Sequence, residues 1–194
     1  MNLKQTKTLV GMGILTAIVV VLQVLSMYIT FGPFNITLAL TPIIIGAALY
    51  GWQAGAVLGA VMGIVVLITN AQAFLAVSVV GTIITCILKS ALAGLAAGML
   101  YSLLAGKNRT VAVVTAAFVT PIVNTGVFLL GCLVFFLDTI KSWAGSDSVA
   151  HYMIFGLVGA NFLIELGVNL ALASAIVRIL DVVLPSRKAA RKAA

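Results

Sequence analysis

The chain has 194 residues, of which 63% are hydrophobic and only 8% are charged. Soluble domains average about 25% charged residues, so the composition excludes an ordinary soluble protein and indicates an integral membrane protein. The net charge of +7 would suit nucleic acid, but the basic residues cluster at the chain ends and in one short loop, as membrane topology places them. We therefore expect a protein of the lipid bilayer that does not bind nucleic acid.

Six apolar segments have the length of a membrane-spanning helix, which takes about 20 residues, or come close to it. They predict an all-α integral membrane protein with a single six-helix domain over residues 1–194. We expect the first segment to be kept as a helix, because its apolar core exceeds the about 7–15 residues of a signal peptide. The predicted helices cover approximately residues 8–29, 36–50, 54–69, 77–104, 111–137 and 152–184.

Loops are predicted between these helices, and the first of them contains the helix breakers Gly32 and Pro33. The outer loops are expected at residues 30–35, 70–75 and 138–151. The second predicted helix contains Pro42, and the sequence leaves open whether that helix is continuous through it.

Six crossings place both termini on one side of the membrane, and the distribution of basic residues predicts which side. Among the 11 lysines and arginines, only Lys141 falls on the opposite side, and Lys89 falls within the membrane. The positive-inside rule then predicts that both termini are cytoplasmic. At the cytoplasmic end of the last helix, the three-residue spacing predicts an ion pair between Arg178 and Asp181. The basic residues on the predicted cytoplasmic side are Lys4, Lys7, Lys107, Arg109, Arg178, Arg187, Lys188, Arg191 and Lys192.

Glycine spacing predicts close helix packing. Gly55, Gly59 and Gly63 recur every fourth residue in the third predicted helix, which places all three on one face. Gly94 and Gly98 form a similar face on the fourth predicted helix. We expect both faces to pack against neighbouring helices.

The fourth predicted helix also carries a polar stripe. Ser78, Thr82, Thr85 and Lys89 follow one another at steps of four, three and four residues, so they share one helix face. A lysine at the bilayer centre costs about 2.5–3.5 kcal/mol on translocon-type scales and therefore indicates a function. The stripe predicts a polar path that opens outward and ends at Lys89.

A second polar group lies at a depth similar to that of Lys89. Asn161, Glu165 and Asn169 are four residues apart on the last predicted helix, and Asn124 is in the middle of the fifth. These residues can converge with Lys89 on a ligand site. Alternatively, Lys89 and Glu165 form a buried ion pair while the asparagines join helices by hydrogen bonds. The two interpretations are compatible.

Several kinds of chemistry are disfavoured by the sequence. No Gly-xxxx-Gly-Lys-Ser/Thr loop is present, so the chain is not expected to hydrolyse ATP by itself. His151 is the sole histidine, and Cys86 and Cys132 lie within apolar segments, so we predict no metal site and no cofactor. Ser90 and Lys89 are adjacent on a helix and point about 100° apart, which disfavours a serine–lysine enzyme.

Three stretches carry a family resemblance: GAALYG at 46–51, KSALAGLAAG at 89–98 and PIVNTGVF at 121–128. Together with the six short spans, they resemble the substrate-binding S component of energy-coupling factor (ECF) vitamin transporters over nearly the whole chain. The resemblance implies high-affinity capture of a small water-soluble vitamin at the plasma membrane of a prokaryote. It also implies two kinds of partner, a membrane coupling protein (the T component) and two ATPase subunits that power transport. The family's docking motif, Ala-xxx-Ala in the first helix, falls on Gly13 and Ala17, with glycine in place of the first alanine.

The polar residues and the resemblance together point to a substrate. Lys89 favours a carboxylate, and the asparagines suit an amide or hydroxyl groups. The polar stripes contain few aromatic residues, which disfavours a large flat ring. Pantothenate fits this description, and the three stretches resemble the pantothenate subgroup. The alternatives are an S component for riboflavin, niacin or biotin, or a small transporter or channel that works without partners.

Overall fold

The computed structural model describes residues 3–31, 34–35 and 37–184, and it is almost entirely helical in these ranges. Two short strands, β1 (Thr30–Phe31) and β2 (Phe34–Asn35), pair antiparallel. Residues 152–158 form a π-helical segment that leads into the last helix. The helices are α1 (Leu3–Ser26), α2 (Leu40–Tyr50), α3 (Trp52–Thr69), α4 (Gln72–Leu75), α5 (Val79–Leu104), α6 (Arg109–Phe135), α7 (Leu137–Ala144), α8 (Val149–His151) and α9 (Gly159–Val183).

Five helices are long and apolar enough to cross a membrane, namely α1, α3, α5, α6 and α9. This finding supports the predicted class, a multi-pass helical membrane protein. The second predicted span is different, because α2 has only 11 residues. At 1.5 Å per residue α2 is roughly 16 Å long, well short of the ~30 Å hydrocarbon core.

Helix α2 is the central helix of the bundle. It packs against α1, α3, α5, α6 and α9, and its side chains Leu40, Ile43 and Ile44 are fully buried. A helix that is hydrophobic on all sides is expected in such a buried position. Pro42 lies in the first turn of α2, where a missing backbone N–H is tolerated, so it does not interrupt the helix. The predicted start at Ile36 and the breakers Gly32 and Pro33 lie outside the described residues, as does the basic tail after residue 184.

The predicted glycine faces are confirmed at the contact between α3 and α5. A Cβ atom at Gly55 or Gly59 would collide with the backbone carbonyl oxygen of Gly94 or Ser90. A Cβ at Gly98 would collide in the same way with the backbone of Trp52. The two helix backbones touch because these positions have no side chain.

Contacts between helix ends define the two ends of the bundle. Leu38 N–H donates to Ser26 Oγ at 3.2 Å, whereas Gly11, fifteen residues before Ser26, lies against the Tyr50 hydroxyl group. The segment 38–50 therefore runs antiparallel to α1 over most of its length. We call the end that carries the β1–β2 pair, α4 and α7 the capped end. The opposite end holds Gly11 and Tyr50.

The last predicted helix, 152–184, is divided in two. Residues 152–158 have π-helical hydrogen bonds, and α9 begins at Gly159, whose φ of +39° lies in the left-handed region that favours glycine. The predicted outer loops are also more regular than expected, because the loop at 138–151 contains α7 and α8 and the loop at 70–75 contains α4.

At the opposite end, the predicted ion pair between Arg178 and Asp181 is wrong. Asp181 Oδ1 instead accepts a hydrogen bond from Arg109 Nη1 at 2.6 Å, and the same Arg109 nitrogen donates to the Leu180 carbonyl oxygen at 3.2 Å. This contact ties the start of α6 to the last turns of α9.

Candidate binding cavity

A cavity of about 100 Å³ lies between the middle of the bundle and the capped end. It has room for several water molecules or one small solute. Its lining is apolar on the whole, with several polar side chains that come from different helices. The lining side chains with a charge or an amide are Gln23, Asn70, Lys89, Asn124, Asn161 and Glu165.

Lys89 brings a positive charge into this cavity. Its Nζ lies 5.2 Å from the centroid of the Phe128 ring, within the range of a cation–π interaction. None of the ion pairs between described residues includes Lys89. The ammonium group therefore lies against an aromatic ring inside the cavity.

Glu165 lines the same cavity and is held by the chain segment that precedes α2. Its side chain is only 6% exposed, and its Oε1 accepts a hydrogen bond from the Thr37 backbone N–H at 2.7 Å. Within the described residues, Glu165 and Lys89 form no direct ion pair.

Asn169 supports this arrangement from one turn further along α9. Its Nδ2 donates to the Glu165 carbonyl oxygen at 2.8 Å, and its Oδ1 accepts from Thr41 Oγ1 at 3.2 Å. Asn169 is fully buried and is not among the residues that line the cavity. It joins α9 to α2 and thereby fixes the part of α9 that carries Glu165.

Three amide oxygens in the cavity have no hydrogen-bond partner among the described residues. They are Gln23 Oε1, Asn70 Oδ1 and Asn124 Oδ1. A buried acceptor without a donor costs about 1–3 kcal/mol, so these atoms are suited to receive N–H or O–H groups of a bound molecule.

Of the four residues in the predicted polar stripe on α5, only Lys89 lines the cavity. Ser78 Oγ caps α5 by accepting from Gly81 N–H at 3.2 Å, and Thr82 Oγ1 donates to the Ser78 carbonyl oxygen at 2.6 Å. Thr85 is buried against Gly131 of α6. The structure thus brings Lys89, Asn124, Asn161 and Glu165 together, whereas Ser78, Thr82, Thr85 and Asn169 lie outside the lining.

Aromatic side chains also line the cavity, contrary to the expectation of an aromatic-poor site. Phe74, Phe128 and Phe162 contribute to the lining. Phe74 makes edge-to-face contacts with Phe128 and with Trp143 of α7, at centroid distances of 5.8 and 5.5 Å. The polar stripes contain few aromatic residues, but these rings come from other helix faces and from α4, so the stripes describe only part of the lining.

Comparison with known proteins gives the class of this molecule. Residues 7–177 match the model of the ECF transporter substrate-specific component family. The chain belongs to that family. It is also 29% identical over 184 residues to the pantothenic acid transporter PanT of Lactococcus lactis subsp. cremoris, with 86% of this chain and 89% of that protein covered. No solved structure matches significantly.

The sequence did not single out several cavity residues of this S component. Gln23 is 1% exposed and lies within α1, where a lone amide in an apolar span was a usable signal. Asn70 directly follows the last residue of α3. Thr37 donates its backbone N–H to Glu165, and no pattern of side chains in the sequence can reveal a backbone contact. Among the described residues, no cluster of His, Cys, Asp and Glu side chains could hold a metal ion.

The outer face of α1 in this S component carries Gly13 and Ala17. Both are exposed, and a Cβ atom at Gly13 would meet no other atom within 4 Å. Helix α1 thus contributes Gln23 to the cavity lining and also carries an exposed pair of small residues.

Proposed function

We propose that this S component captures pantothenate with high affinity. The observation that carries the proposal is the Lys89 ammonium, which faces the cavity without a carboxylate partner among the described residues. The relative named as a pantothenic acid transporter supports the choice of substrate. Pantothenate has one carboxylate, one amide and two hydroxyl groups. Its carboxylate pairs with Lys89, and its N–H and O–H groups supply donors for the cavity's amide oxygens.

The test combines one variant with one substrate analogue. In pantothenol, a CH₂OH group replaces the carboxylate of pantothenate. The wild type is expected to bind pantothenate roughly 10- to 100-fold more tightly than pantothenol, the range for hydrogen bonds to a charged group. In Lys89→Ala the two compounds should bind alike, as measured by calorimetry on the purified protein.

Lys107→Ala is the matched control, since Lys107 is an exposed lysine in the turn between α5 and α6. It should keep the preference for pantothenate. If Lys89→Ala kept that preference as well, Lys89 would not be the carboxylate anchor.

The aromatic lining of the cavity favours a second candidate, an S component for a vitamin with a ring, such as riboflavin, niacin or biotin. Competition against labelled pantothenate separates the two candidates. We expect an excess of each ring-containing vitamin to leave pantothenate bound. Displacement by one of them at lower concentration than unlabelled pantothenate would assign the cavity to that vitamin.

We infer six membrane crossings with both termini in the cytoplasm of a prokaryotic cell. The support is that residues 38–50 run antiparallel to α1 from the level of Ser26 to that of Gly11. We infer that the segment 38–50, which contains α2, forms one crossing, although α2 alone is short. Lys107 and Arg109 lie at the opposite end, as the positive-inside rule requires of the cytoplasmic side.

Cysteine labelling tests this topology in intact cells. A membrane-impermeant maleimide should label Ser146→Cys, in the exposed segment after α7, and should not label Gly106→Cys. The native Cys86 and Cys132 are buried and give a low background. Labelling of both positions from one side would contradict the proposed six crossings.

We propose that the exposed Gly13–Ala17 face docks on a T component that carries two ATPase subunits. Small residues leave the backbone open to close helix packing. Gly13→Leu and Ala17→Leu should bind pantothenate normally but abolish uptake by cells that express all subunits. Gly167→Leu is the matched control, because Gly167 is also exposed with no atom within 4 Å of an added Cβ.

The alternative is a transporter that works alone. Liposomes that contain only the purified chain would then accumulate pantothenate. We expect uptake only after the T component and the ATPases are added together with ATP.

Equal loss of binding and uptake in Gly13→Leu would refute the docking assignment.

A further inference from the structure

A series of aromatic rings leads from the capped end of the bundle into the cavity. Phe74 of α4 contacts Phe136, which follows α6, at a centroid distance of 4.9 Å, and Trp143 of α7 at 5.5 Å. The same ring contacts Phe128 of α6 at 5.8 Å, with the two ring planes at 90°. Lys89 Nζ lies over the Phe128 ring, 5.2 Å from its centroid. Ring contacts thus connect α7 and α4 to the ammonium group in the cavity.

The orientation of the Phe128 ring decides whether this ring stabilises the ammonium group. An aromatic ring has a negative face and a positive edge, so a cation is attracted only to the face. Phe128 is partly buried and packs against the cluster of buried side chains at the capped end to which Phe74 belongs. Phe74 is itself only 6% exposed, and it meets Phe128 edge-to-face. A buried ring in this position opposes a rotation of Phe128 that would turn its edge toward Lys89.

We propose that Phe74 is a positioning residue for the anion site. It holds the Phe128 ring with its face toward Lys89, and it thereby places the ammonium group for the carboxylate of the substrate. The inference rests on the proposed function and adds a residue of the capped end to the carboxylate anchor. Phe74 also lines the cavity, so a direct apolar contact with the substrate is the alternative role.

The preference for pantothenate over pantothenol separates these two roles. Phe74→Leu keeps an apolar side chain and removes the ring contacts. The preference should fall roughly 2- to 10-fold, the range for one aromatic pair, because only pantothenate has the carboxylate that Lys89 binds. Calorimetry with both compounds measures it. A direct apolar contact or a purely structural role would weaken both compounds alike, and an unchanged preference in the folded variant would therefore overturn the proposal.

Phe136→Leu is the matched control. It removes another edge-to-face contact of Phe74, but Phe136 does not line the cavity. This variant should have a lower melting temperature than the wild type, as Phe74→Leu should, and it should keep the preference for pantothenate. If Phe136→Leu lost the preference as far as Phe74→Leu, loosening of the capped end would account for both results and the proposal would be wrong.

A double-mutant cycle tests whether Phe74 acts through Phe128. In Phe128→Leu there is no ring for Phe74 to hold, so the addition of Phe74→Leu should lower the preference no further. If the two losses multiplied instead, Phe74 would act independently of Phe128 and the proposal would be wrong. Should Phe74→Leu fail to fold, Phe74→Met, which also lacks a ring and keeps a long apolar side chain, replaces it in the same cycle.

The outcomes separate this inference from the proposed function. If the wild type shows no preference for pantothenate, the proposed function and this inference both fail. If the wild type has the preference and Lys89→Ala loses it while Phe74→Leu keeps it, the inference alone fails and the function stands. Loss of the preference in Phe74→Leu, with no further loss when Phe128→Leu is added, supports both.

Discussion

The two faces of α5 are built in opposite ways. On one face Gly94, Gly98 and the backbone of Ser90 touch α3 directly, and an added methyl group would have no room. On the other face Lys89 lies in a cavity against an aromatic ring. The same helix thus makes a direct backbone contact on one face and carries a charged residue, which is costly inside a membrane, on the other.

This contrast separates stability from function. In a bilayer, helix association depends on van der Waals packing and hydrogen bonds, because lipid tails are as apolar as the side chains. The glycine contact supplies that packing, whereas a lysine inside the membrane is costly and is retained for its chemistry. Changes on the glycine face should therefore affect folding, and changes on the cavity face should affect binding.

The largest effect is expected at the glycine face. Gly59→Ala places a methyl group against the Ser90 carbonyl oxygen, which belongs to a helix backbone that cannot yield easily. The free energy of unfolding should fall by about 1–3 kcal/mol or more, the range for overpacking. Thermal unfolding in detergent measures the change.

Gly126→Ala on α6 is the matched control, because its added Cβ would meet nothing within 4 Å. Since alanine has a higher helix propensity than glycine by roughly 1 kcal/mol, this variant should be slightly stabilised. Equal destabilisation of both variants would mean that the glycine face is not the source of tight packing.

On the cavity face, Lys89→Met should have the opposite effect on stability. Removal of the charge relieves part of the about 2.5–3.5 kcal/mol that a lysine costs at the bilayer centre, so the ligand-free melting temperature should rise. Pantothenate should no longer stabilise the variant, because its affinity has been lost. A melting temperature below that of the wild type would assign Lys89 a structural role.

The ring under Lys89 should have a smaller effect. Phe128→Leu removes the cation–π contact and should weaken pantothenate binding by roughly 2- to 30-fold, which corresponds to about 0.5–2 kcal/mol. Phe118→Leu on the same helix is the control, since Phe118 is exposed. If both variants bound equally well, the ring would not be needed to position the ammonium group.

The smallest effect is expected in the polar stripe. Thr82→Ala removes a hydroxyl that bonds to the Ser78 carbonyl oxygen of its own helix, so pantothenate affinity should stay within about twofold of the wild type. Calorimetry beside Lys89→Ala measures the difference. A large loss in Thr82→Ala would restore the outward polar path that the spacing of the stripe predicts.

The sequence alone determined the membrane class, the glycine contact and the convergence of Lys89, Asn124, Asn161 and Glu165. The composition indicates whether lipid or water surrounds the chain, and the spacing of the glycines indicates which helix face has no side chains. Counting residues along a helix places polar groups at similar heights, because the rise per residue is constant. These inferences need only local geometry.

Only the tertiary structure decided which neighbour each face meets. Periodicity put Thr82 and Thr85 on the same helix face as Lys89. Neither threonine lines the cavity, and Thr85 is buried against Gly131 where α6 packs on α5. Asp181 binds Arg109, 72 residues away, and not Arg178, three residues away. Gln23 became a cavity residue because α1 packs beside α2 and α3. Helix periodicity specifies which residues share a face, whereas the partner of that face depends on how the whole bundle packs.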